Sequence, residues 1–115
     1  MSVTLLAKNS NGGLKRYSVV SCGWKNEEGT SDLESPIGNS WKDYWEYYTG
    51  QKWPTSCCVL GCGDKAEVGA HVVNPNIPSY DFIVPMCRGC NAKYGYDDPE
   101  SMSLNSNSIL VDAKI

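Results

Sequence analysis

The sequence predicts a small α+β domain organised around a metal ion, and three observations carry that expectation. Two close cysteine pairs, Cys57 with Cys62 and Cys87 with Cys90, flank a segment of strand character. Residues 40–50 carry an aromatic stripe at helical spacing, and residues 1–21 have the pattern of a β-hairpin. A chain of 115 residues is the size of one domain rather than two.

Taken in order, Val3 to Leu6 and Leu14 to Val20 suit strands, and Asn9-Ser10-Asn11-Gly12-Gly13 between them tolerates the positive φ of a tight turn. Residues 22–39 are polar and include Pro36, so they read as a long surface loop. Ser40 then signals a helix start, with Asp43 three residues later at the positive end of the dipole, and Gly50 marks the stop. Trp41, Tyr44, Trp45 and Tyr48 recur at i, i+3, i+4 and i+7, which puts four rings on one stripe. That stripe is expected to face the core; the alternative is a stacking surface for bases or a partner.

In the second half, Ala66, Val68, Ala70 and Val72 alternate with Glu67, Gly69, His71 and Val73, which sets the chain's one histidine on the Glu67 side of a strand. A Pro-rich link, Asn74 to Ser79, leads to a second strand at Tyr80 to Met86 and a short helix from about Arg88 to Tyr94. Residues 96–115 read as a closing segment, with Ser108 to Val111 returning as a strand.

Composition narrows the function. Thirteen acids against ten bases give a formal net charge of −3, and no basic block in the sequence advertises tight binding to DNA or to anionic membranes. A single histidine excludes a multi-histidine metal site. No run approaches the roughly 18 apolar residues of a membrane span, and the start lacks a signal peptide's charged region, so a cytoplasmic protein with no membrane partner is expected. In a reducing compartment the six cysteines read as metal ligands, with a disulfide framework as the alternative for an exported chain.

Each close pair can fold a tight turn around one edge of a tetrahedral Zn²⁺, so Cys57, Cys62, Cys87 and Cys90 are the expected ligands of a structural zinc. Gly61, Gly63 and Gly89 give those turns backbone freedom. Cys58 could take the place of Cys57, and His71 could replace one thiolate in a Cys3His site. Cys22 and Cys58 otherwise read as small buried apolar side chains.

The stretch Cys57-x4-Cys62, Gly69-Ala70-His71-Val72 and Ile83-Val84-Pro85-Met86-Cys87-x2-Cys90-Asn91 resembles the zinc-containing branch of the HNH endonuclease family. The resemblance implies a ββα-metal core on a zinc treble clef at residues 57–95, braced by the hairpin and the aromatic helix. It also implies that His71 is a general base and Asn91 a helix-borne ligand of a catalytic Mg²⁺ or Mn²⁺. Against that pattern, Ala70 precedes His71 where active members often carry an acid, and Tyr80-Asp81-Phe82 offers no evident orienting asparagine. Asp81 is either a substitute ligand or a solvated surface acid. The expected function is therefore a zinc-binding HNH-like module with reduced or no catalytic activity, binding a protein or nucleic-acid partner, of the accessory kind that phages and mobile elements carry. The alternative is an active metal-dependent endonuclease that uses His71.

Overall fold

The computed structural model describes residues 1–27, 34–95 and 97–115, and at residues 78–80 the backbone alone. The alternation at the amino terminus forms the expected hairpin: β1 (Ser2–Lys8) pairs antiparallel with β2 (Leu14–Val20) from Ser2 opposite Val20 to Lys8 opposite Leu14. Asn9 closes the turn, its side-chain oxygen accepting the backbone N–H groups of Asn11 and Gly13, while Gly12 takes a φ of 81°.

The remaining elements are β3 (Lys25–Asn26), α1 (Trp41–Thr49), β4 (Val68–Asn74), β5 (Ile77–Met86), α2 (Arg88–Asn91) and β6 (Ile109–Asp112). They build one sheet in the order β2-β1-β6-β5-β4-β3. The closing strand β6 inserts at the centre, parallel to β1 and antiparallel to β5, and thereby joins the hairpin to the second half. Its four residues are all buried, as a strand covered on both faces requires.

Side chains of period two split between two cores. Val3, Leu5, Leu110, Phe82, Val84 and Val72 point to one face, where Trp24, Met102, Leu104 and the cysteine segments pack. Leu6, Ile109, Val111 and Ile83 point to the other and are covered by α1. The helix has the expected caps: Ser40 Oγ accepts from Asp43 N at 3.2 Å, and Gly50 stops it with φ 67°. Its aromatic stripe faces the sheet and satisfies its own polar atoms there, Tyr44 Oη donating to Asp112 O at 2.6 Å and Trp45 Nε1 to Ile109 O at 2.8 Å. Helix and strand approach so closely that a Cβ on Gly69 would lie 2.7 Å from Trp41 Cβ.

Several expectations shift. The stretch 22–39 is not surface loop throughout: Trp24 is fully buried, bridges Met102 and packs edge-on against Phe82, and Asn26 is buried in β3. Two strand residues among polar neighbours carry no readable period; residues 28–33 of that stretch lie outside the described residues. The link at Asn74–Ser79 shrinks to a turn at Pro75-Asn76, tied by Asn76 N donating to Asn74 Oδ1, so β5 begins at Ile77. The second helix ends at Asn91, with Tyr94 at φ 56°. Cys22 is exposed rather than buried. Among the described residues no helix is long and apolar enough to cross a membrane.

Candidate metal centre

Two corners of the chain present the cysteines. In the first, Ser56 bridges Lys65 and Cys57 N donates to Asp64 O, which makes a narrow hairpin, and Cys62 N donates back to Val59 O across a turn that needs Gly61 at φ 83°. Cys58 N on Pro85 O and Leu60 N on Ser103 O fasten this corner to the sheet. The second corner is the end of β5: Cys87 is the N-cap of α2, and its sulfur accepts the N–H of Cys90 at 3.3 Å.

The corners meet. The Sγ atoms of Cys57, Cys62, Cys87 and Cys90 all lie within 4.8 Å of one another, and Cys62 Sγ is 3.8 Å from Cys87 Sγ. A tetrahedral ion with metal–sulfur bonds of ~2.3 Å has sulfur–sulfur edges of about 3.8 Å, so the spacing fits. All six cysteines are free thiols. Cys57 and Cys87 are buried, while Cys62 and Cys90 are half-buried at the rim.

The electrostatics of the cluster suit a bound cation. The Cys58 thiol and the N–H groups of Cys87 and Val59 donate to Cys57 sulfur and, despite burial, pull its pKa down to about 4. Cys90 is pushed far up by burial and by the neighbouring sulfurs. Asp64 N–H holds Cys62 down, but burial and the Cys87 sulfur outweigh it and raise the thiol. Thiols this close cannot all ionise by themselves, whereas a divalent cation would hold all four as thiolates and displace their protons. Four sulfurs suit a soft or borderline ion such as zinc.

Cys58 stands outside the cluster. It is buried, its pKa is raised by the bond its thiol donates to Cys57 and by burial, and it supports the ligand set from behind. Asn26 is the residue sequence reasoning missed. Its side-chain amide donates to the carbonyls of Cys90 and Lys93, at 2.9 Å for Cys90, and so ties β3 to the end of α2. No spacing signal joins residue 26 to residue 90. Asn26→Ala should leave those carbonyls without this donor, costing about 1–3 kcal/mol in a urea titration and speeding metal loss to a competing chelator.

His71 is not among the clustered ligand atoms, and together with Asn91, which follows Cys90, it lines one cavity of about 500 Å³. Asn91 is exposed on α2, whereas His71 is buried on β4, its ring edge-on to Trp41 at 4.6 Å and its Nε2 without a hydrogen-bond partner among the described residues. Asp81 shares a side-chain hydrogen bond with Glu27, whose pKa is raised by burial and by Asp81. Among the described residues, the four cysteines are the one group of three or more His, Cys, Asp and Glu ligand atoms that comes together.

Burial lowers the His71 pKa from 6.5 against a smaller upward pull from Asp81, so the folded ring is neutral. The unfolded chain takes up the proton first as pH falls through about 6.5, and stability is lost below that pH until the folded imidazole titrates as well. His71→Phe should show a smaller drop in urea midpoint between about pH 7.5 and 5.5 than the wild type does. Comparison of the chain with protein-family models, with curated proteins and with solved structures found no match.

Proposed function

We propose that the chain is a zinc-binding treble-clef module of HNH-like build, with reduced or no catalytic activity, that binds a protein or nucleic-acid partner in a reducing compartment such as the cytoplasm. The order of elements supports the treble clef: a cysteine turn within residues 56–65, the β4–β5 hairpin, and a second cysteine pair at the start of α2. The observation that carries the functional reading is the closed set of four sulfurs. A metal with four protein ligands has no open position for water or substrate, so its role is architectural. The histidine that would do chemistry is buried beside Trp41 and follows Ala70, which cannot ligate a metal. The small size of the chain and the missing acid before His71 suit an accessory factor of the kind phages and mobile elements carry.

The second reading, an active endonuclease with His71 as general base and Asn91 as a Mg²⁺ or Mn²⁺ ligand, is favoured by the cavity those two residues share. Zinc-loaded protein incubated with plasmid and with single-stranded DNA in Mg²⁺ or Mn²⁺, beside His71→Ala, separates the two. The module reading expects no cleavage by either protein. Nicking by the wild type that disappears in the variant would establish the nuclease.

A further inference from the structure

Basic residues that are scattered in sequence are gathered by the fold. Four of the ten, Lys42, Lys52, Lys65 and Arg88, line one depression of about 430 Å³. They arrive from separate places: Lys42 from the first turn of α1, Lys52 from just beyond its end, Lys65 from the first cysteine corner and Arg88 from the start of α2. The depression also includes Trp53, and it runs on into the His71 cavity, with which it shares Lys42, Glu67 and Arg88 and where Trp41 stands.

Two acids share this surface with the four cations, which leaves it an excess of two positive charges. Glu46 accepts Trp53 N–H at 2.9 Å, and Glu67 lies 3.7 Å from Arg88 in the one ion pair among the described residues. Lys42, Lys52 and Lys65 are exposed and have no carboxylate at ion-pair distance among the described residues. In a protein of net charge −3, collecting unpaired like charges is unfavourable unless an anion shares the surface. Exposed lysines strung along two joined cavities suit a chain of repeated negative charges better than one small anion. The rings of Trp53 and Trp41 pack against the second core, Trp53 on Trp45 and Trp41 on Tyr44 and His71, but both are only half-buried and line the same path, where their remaining apolar surface suits a base better than an acidic peptide. The cations line a depression rather than a flat face, which suits a flexible single strand better than a rigid duplex.

We propose that this groove binds single-stranded nucleic acid, with Lys42, Lys52 and Lys65 on phosphates, Arg88 held by Glu67 at the groove, and Trp53 and Trp41 beside the bases. The inference deepens the binding-module reading above and rests on it. The test is a titration of fluorescent oligothymidine with zinc-loaded protein over a range of salt concentrations, for the wild type and for a Lys42→Glu, Lys65→Glu double variant. Metal content and near-ultraviolet circular dichroism are recorded on the same samples. Three phosphate contacts to a single strand predict a slope of log K against log salt of about −2.1, falling to about −0.7 in the double variant, with at least a ~10-fold loss of affinity at low salt. A flat salt dependence, wild-type affinity in a zinc-loaded folded double variant, equal affinity for a duplex of the same length, or equally effective competition by polyglutamate would each overturn the groove. Metal-free wild-type protein would instead sink the module reading, and the groove with it, before any oligonucleotide is added.

Discussion

Cys87→Ser is expected to abolish metal retention and to melt the cysteine corners at temperatures where the wild type is fully ordered. Cys87 has two roles that serine divides. As the N-cap of α2 it accepts the Cys90 N–H, which a serine hydroxyl can also do. As a buried member of the sulfur cluster it supplies a soft donor, which serine cannot. Apparent binding free energies of roughly 10–16 kcal/mol for small zinc sites are of the same size as a typical domain stability of roughly 5–15 kcal/mol. Losing one of four ligands therefore removes a term as large as the net stability of the fold. The chelated wild type should show the same lowered transition in near-ultraviolet circular dichroism, and chelator should have no further effect on the variant. Cys22→Ser, at an exposed position, should stay within about 0.5 kcal/mol of wild type. A wild-type transition indifferent to chelator would refute the assignment.

Trp24→Ala is expected to destabilise the fold by about 3–5 kcal/mol, the usual cost of deleting a large buried aromatic. Trp24 is fully buried, its ring edge meets Phe82 with centroids 5.8 Å apart, and its Nε1 donates to Val20 O at 3.0 Å. Its backbone exchanges both hydrogen bonds with Met102, pinning the segment before β6 onto the first core. Removing the indole opens a cavity in that core and leaves the Val20 carbonyl without its donor. A chemical denaturation midpoint close to that of wild type would show that the segment before β3 packs less tightly than described.

Trp24 also shows where the sequence stops being legible. The hairpin, α1 and β4 were readable because each repeats a local signal, period two along β1 and β4 and period 3.6 with caps at Ser40 and Gly50 along α1, whereas β5 and β6 were readable only as apolar runs and β5 begins three residues before the expected Tyr80. Trp24 and Asn26 carry no repeat. Their roles come from partners far along the chain, Met102 for one and Cys90 for the other, and a polar neighbourhood hides them. The cysteine cluster was legible in its four residues because metal-ligand spacing is local, with Cys57 preferred and Cys58 left open as its alternative. The structure makes that choice through the tight hairpin that turns Cys57 toward the cluster and Cys58 into the core. Charge was the least legible property. A chain with no basic block places four cations on one groove, because α1, the first cysteine corner and α2 converge there.

All of this depends on four sulfurs sharing one ion, and X-ray absorption at the metal edge of the purified protein measures that directly. The account predicts one zinc per chain with a first shell of four sulfurs at about 2.3 Å and no nitrogen or oxygen. A shell containing nitrogen or oxygen, or fewer than four sulfurs, or an ordered protein with no bound metal, would contradict it.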